Sequence, residues 1–154
     1  SVFRSMNVRD NIKAILEIKT SDKEEIETKA TELLNEFSIS HLQNKIASTL
    51  SGGERRRLEI ARTLASNPRF ILLDEPLAGI DPIAVSDIKR LVGHLKDRNI
   101  GILVTDHNVR ETLDIVDRAY VIYDGKILME GTPEEIINSA KVRELYLGRT
   151  FDRT

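Results

Sequence analysis

The 154-residue sequence contains no cysteine and no tryptophan, and its aromatic residues are limited to four phenylalanines and three tyrosines. Without cysteine there is no disulfide framework, no zinc–thiolate site and no cysteine nucleophile. The lack fits a reducing compartment. No apolar run approaches the ~20 residues that a membrane-spanning helix needs, and the opening SVFRSMNVRDN lacks the apolar core of a signal peptide. Charge of one sign is missing too. Twenty-three lysines and arginines against 25 acids leave a net charge of −2, so no general basic field attracts nucleic acid. The phosphate-cradling pattern G-x-x-x-x-G-K-[ST] does not occur. The single Gly-Lys pair, Gly125-Lys126, has Tyr120 where the first glycine would stand. Position 1 is serine and the chain starts in mid-pattern, which leads us to expect a longer parent protein.

What is present divides into two textures. Val8, Ile12, Ile15 and Leu16, and then Ile26, Ala30, Leu33, Leu34 and Phe37, recur at helical spacing. Ser21 with Glu24 has the form of a capping box. Residues 7 to about 50 therefore predict a small helical subdomain. A further helix is predicted over 51–66, with Leu58, Ala61, Leu64 and Ala65 on one face and Asn67-Pro68 as its stop. Phe70-Ile71-Leu72-Leu73 and Ile100 to Thr105 are short apolar runs of the kind that form parallel strands buried on both faces. Between them Asp81-Pro82 predicts a helix start, and Ala84, Ile88, Leu91, Val92 and Leu95 give that helix a buried stripe. Val109, Leu113 and Val116 mark another helix after the second strand. Tyr120 to Tyr123 and Lys126 to Met129 flank Asp124-Gly125, the dipeptide of a type I′ hairpin turn. Thr132-Pro133-Glu134-Glu135 opens a capped helix, and Val142, Leu145 and Tyr146 suggest one more. The fold class is α/β, with a helical subdomain over 1–66 and a core of parallel strands, hairpin and helices over 67–154.

Candidate chemistry gathers where the predicted strands end. Ligands of open parallel sheets bind beyond the carboxyl ends of the strands, and there the first strand delivers Asp74 and Glu75. Asp74 can hold a hard cation such as Mg²⁺, and Glu75 can take a proton from a water. Taken alone, the pair reads first as a solvated turn after a core strand. His107 follows the second strand and would lie near both acids if the strands are neighbours. His41 and His94 have no identifiable acid partner, and the three histidines match no zinc spacing. Ser51-Gly52-Gly53 opens a helix whose amides and dipole favour an anion. Ser51 with Glu54 is also a plain capping box. Arg55, Arg56 and Arg57 are flanked by Glu54 and Glu59 without interleaved aromatics, and they read as a solvated helix face.

Together, LSGGE at 50–54, the strand ending in Asp74-Glu75, the segment Ala78-Gly79-Ile80-Asp81 and His107 resemble, in that order, the signature motif, Walker B, D-loop and switch histidine of the ABC-transporter ATPases. The resemblance implies the later part of a P-loop NTPase core, a homodimer, and ATP with Mg²⁺ as ligands. Ser51, Gly52, Gly53 and Glu54 would face the ATP of the opposite subunit, and Asp81 would act across the dimer interface. Asp74 would organise Mg²⁺, Glu75 would be the base that polarises the attacking water, and His107 would brace the γ-phosphate. Phe3 and Arg4 match the region that contacts the transmembrane permease subunits, which implies a cytoplasmic site at the inner membrane. SVFRSMNVRDN, GGERRRLEIAR and TDHNVRETL resemble the lipopolysaccharide-export branch of the family. The AGIDP-like segment and the terminal YLG are shared with branched-chain amino-acid importers, the alternative. A DNA-repair ATPase is disfavoured by the charge. The family's Walker A loop has no counterpart here, so these residues alone are expected to bind no ATP, and a non-catalytic fragment is a further reading.

Overall fold

The computed structural model describes residues 2–77 and 82–147, the side chains of 82–84 and of 146–147 excepted. The chain forms two compact units, Ser1–Ile71 and Leu72–Thr154, and the division falls inside a strand.

The first unit is helical. Helices α1 (Val8–Leu16), α2 (Lys23–Glu36) and α3 (Gly52–Ala65) pack on one another, with short 3₁₀ turns at Ser40–Leu42 and Ala47–Thr49. Each buries the stripe its periodicity dictates: Val8, Ile12 and Leu16 from α1, Ile26, Ala30, Leu33 and Leu34 from α2, and Leu58, Ala61, Leu64 and Ala65 from α3. The cap of α2 lies one residue beyond the predicted one. Asp22, not Ser21, accepts from the amides of Glu24 and Glu25, while the Asp22 amide donates to Thr20. A carboxylate placed at a helix start offers a stronger acceptor to those amides than a hydroxyl does. Arg9 ties the unit together through Glu27 of α2 at 3.0 Å, Thr31 at 2.7 Å and Gln43 at 2.9 Å.

The second unit carries the strands. β1 (Phe70–Asp74) pairs with β2 (Gly101–Thr105), and α4 (Pro82–Asp97) makes the crossover that parallel neighbours require. The helix α4 packs on β2 and buries Ile88, Leu91, Val92 and Leu95. The helix α5 (Val109–Leu113) follows. Antiparallel β3 (Ala119–Tyr123) and β4 (Lys126–Gly131) then form the predicted hairpin. Its turn residues Asp124 (φ 48°) and Gly125 (φ 71°) both sit in the left-handed region that a type I′ turn demands. Next come α6 (Pro133–Asn138), capped by a Thr132–Glu135 box, and α7 (Ala140–Val142), which passes into a π-helical turn over Arg143–Leu147. Leu113, Val121, Ile136 and Val142 close a small core beneath the hairpin.

The strands differ from expectation in one respect: they are not buried on both faces. Ile71 and Leu73 are buried, whereas Phe70 is 77% and Leu72 63% exposed. The hydroxyl of Thr105 donates to Asp74 at 2.5 Å, so these two side chains share a face. The two-residue period of a strand then puts Phe70, Leu72 and Leu103 on that same face, where Leu103 is 61% exposed. Among the described residues α4 supplies cover for one side of this strand pair only, and an apolar run cannot reveal how many layers will cover it.

Candidate functional site at the strand ends

Three of the predicted residues, Asp74, Glu75 and His107, stand where β1 and β2 end. Asp74 is the last residue of β1, and its Oδ1 accepts from the Thr105 hydroxyl. Glu75 leaves the strand with φ 44°, a left-handed conformation uncommon for a residue with a side chain. Its amide is held by the Thr105 carbonyl at 2.7 Å. The turn swings the Glu75 carboxylate beside the imidazole that follows β2, and His107 Nδ1 lies 3.7 Å from Glu75 Oε1. Both side chains are open to solvent. Strained backbone of this kind is held in place by its surroundings and gathers at functional sites.

Asp74 offers one carboxylate oxygen beyond its bond to Thr105. Among the described residues no three acids or imidazoles gather into a cage. A free carboxylate oxygen on Asp74 suits Mg²⁺, which takes one or two carboxylates, keeps several waters and takes its other oxygens from substrate phosphates. It does not suit a cation that needs an all-protein shell.

In the helical unit, Ser51 caps α3. Its hydroxyl accepts from the Glu54 amide at 3.3 Å, and its own amide donates to Glu54 Oε2 at 2.8 Å. The hydrogen bonds from the Ser51 amide and hydroxyl hold the Glu54 carboxyl below its ordinary pKa. Capping explains Ser51 and Glu54 but not the two glycines after Ser51. A Cβ at Gly52 or Gly53 would meet nothing within 4 Å, so packing inside this chain does not demand glycine at either place. What glycine leaves there is an unobstructed row of amides at a helix N-terminus, open to an anion. Asp81 and the Ala78-Gly79-Ile80 segment lie outside the described residues.

Phe3 and Arg4 are exposed. The turn that carries them is pinned by the buried Asn11, which accepts from the Phe3 amide at 2.8 Å and donates to the Phe3 and Asn7 carbonyls. The Arg62 guanidinium of α3 lies 4.2 Å from the centroid of the Phe3 ring, a cation–π distance. Of the arginines of α3, Arg56 pairs with Glu59 at 3.5 Å. His41 lies in a 3₁₀ turn and His94 in α4.

Sequence reasoning missed Thr105, Asp106 and Asn11. Thr105 and Asp106 stand beside His107 in the sequence, but only the pairing of β1 with β2 shows that both reach back to the segment after β1. Asn11 carried no signal, because a polar residue within a helical stripe reads as surface.

The known proteins that this chain resembles are of one kind. The family model described as ABC transporter matches residues 1–78, and one described as branched-chain amino acid ATP-binding cassette transporter matches residues 126–152. The lipopolysaccharide export system ATP-binding protein LptB of Haemophilus influenzae is 54% identical over 98% of this chain and 63% of its own length. LptB of Escherichia coli K12 is 53% identical over the same shares. A probable ABC transporter ATP-binding protein of Azorhizobium caulinodans is 58% identical over 98% of this chain and 54% of its own. The chain thus spans a little over half to under two thirds of the length of these relatives. Among solved structures, the ADP conformation of an ATP-binding cassette of an ABC transporter superposes with a TM-score of 0.81 at 33% identity, over 94% of this chain and 64% of that one. The structure of cbiO1 from Clostridium perfringens, part of an ABC transporter complex, gives 0.82 at 29% identity, over 96% and 59%.

Proposed function

Because the chain belongs to the ABC transporter family of ATP-binding proteins, we propose that it is the later part of an ATPase subunit that drives transport through membrane permease subunits. The observation that carries this reading is the placing of Asp74, Glu75 and His107 at the ends of β1 and β2, with His107 3.7 Å from Glu75. In it, Glu75 accepts the proton of the water that attacks the terminal phosphate of ATP. His107 steadies the Glu75 carboxylate and the phosphate. Asp74 holds Mg²⁺, which when bound neutralises phosphate charge. Positioning and charge neutralisation dominate such a reaction. Ser51, Gly52, Gly53 and Glu54 present the α3 N-terminus to the nucleotide of a second subunit, and Asp81 works across the same dimer interface. Phe3 and Arg4 face the permease, which places the subunit at the cytoplasmic face of the inner membrane.

The transported substrate we propose is lipopolysaccharide, on the strength of the identity to LptB over nearly all of this chain. The match of residues 126–152 to the branched-chain amino acid transporters supports import of those amino acids as a second reading. The permease that copurifies with the full-length protein separates the two. For the chemistry, Glu75→Gln in the full-length protein is expected to lower ATP hydrolysis by about 100-fold or more while MgATP binding is retained, the range of a lost general base. Hydrolysis at the parent rate would overturn the role of Glu75.

A further inference from the structure

Beside the two exposed acids of the site lies a third acid for which the proposed chemistry has no use. The side chain of Asp106 is fully buried. Strand periodicity explains its direction: Thr105 turns to the open face, so Asp106 turns to the covered one. Its two oxygens have different partners. Oδ1 accepts from the amide of Asn108, two residues on, at 2.9 Å. Oδ2 accepts from the amide of Leu77, 29 positions earlier in the chain, also at 2.9 Å. The His107 imidazole stands 3.9 Å from Oδ1, beyond hydrogen-bond reach.

Removing a carboxylate from water is costly unless its oxygens are satisfied. A turn to the amide two residues on needs only one acceptor, which asparagine supplies as well. The second oxygen is what a carboxylate adds here, and it is spent on Leu77, two residues beyond Glu75. Asp106 therefore ties the segment that follows Glu75 to the turn that carries His107. We propose that Asp106 is a positioning residue that sets the separation of Glu75 from His107 by clamping the Leu77 and Asn108 amides. The inference rests on the reading of Glu75 as the base of ATP hydrolysis.

The test uses the full-length protein. Asp106→Asn leaves one acceptor oxygen for the local turn and removes the bond across the strand ends. It should lower kcat about tenfold or more with KM for ATP within threefold, and speed amide exchange at Leu77 while Asn108 stays protected. Should that variant fail to fold, replacing Leu77 by its α-hydroxy analogue, which deletes only the N–H, should give the same fall in kcat. Unchanged exchange at Leu77 in Asp106→Asn overturns the clamp. An unchanged kcat in either variant, once the bond to Leu77 is lost, overturns the positioning role. Measured in parallel, Glu75→Gln separates the two failures. If it still hydrolyses ATP, the base assignment fails and this role of Asp106 fails with it. If it is inactive while Asp106→Asn keeps full kcat, only the inference about Asp106 fails.

Discussion

At the scale of single residues, the site holds its acids by backbone as much as by side chains. Glu75 occupies left-handed space at φ 44°, where a side chain costs roughly 1–2 kcal/mol, and the Thr105 carbonyl keeps it there. Glycine would adopt the same angles without that cost, at the expense of a more flexible unfolded chain. Glu75→Gly is therefore expected to leave stability unchanged or to raise it by roughly 0.5–1 kcal/mol, while hydrolysis by the full-length protein disappears. Denaturant midpoints and ATPase rates on the same preparations check both halves. A marked loss of stability would mean that the Glu75 side chain supports the fold, contrary to its exposed position beside His107. Strain held at the one residue that must point at a water is the usual exchange of stability for function.

At the scale of elements, local chemistry was legible at three of the four places where the sequence names both partners. The Ser51–Glu54 box, the Asp124-Gly125 hairpin and the Thr132 cap all formed where their residues predict. Ser21 lost its cap to Asp22 because two adjacent residues could both serve, and the propensities rank them too closely to choose. The open face of β1 and β2 and the reach of Asp106 to Leu77 depend on strand pairing, which no window of sequence contains. The α3 box makes a prediction that joins stability to pH. Hydrogen bonds from Ser51 lower the folded-state pKa of Glu54. Its contribution is therefore full above the unfolded glutamate value, about 4.3, and is lost as pH falls through the lower folded value. At neutral pH, Ser51→Ala is expected to cost about 1 kcal/mol. Since part of what it removes is already gone in acid, the deficit should shrink as pH is taken below about 4. Paired urea titrations across that range measure it, and a deficit that grew on acidification would remove Glu54 from the account.

At the scale of the whole molecule, the two candidate sites have opposite needs. The N-terminus of α3 offers amides to an anion but no lysine, and the ends of β1 and β2 offer acids that repel an anion unless a cation intervenes. ATP carries its charge on phosphates, and across all 154 residues no G-x-x-x-x-G-K-[ST] segment exists to wrap them. Neither site replaces that wrap. Open amides at a helix terminus contribute on the order of 1 kcal/mol toward a surface anion, against about 8 kcal/mol for micromolar affinity. A titration of this 154-residue polypeptide with MgATP is therefore expected to show a dissociation constant above about 1 mM, the level that ~4 kcal/mol supports. Isothermal calorimetry or a fluorescent ATP analogue would report it. Micromolar binding would mean that a phosphate cradle exists in these residues without the glycine–lysine pattern, and the assignment of Ser51 and its glycines to a nucleotide held by a second subunit would then lose its reason.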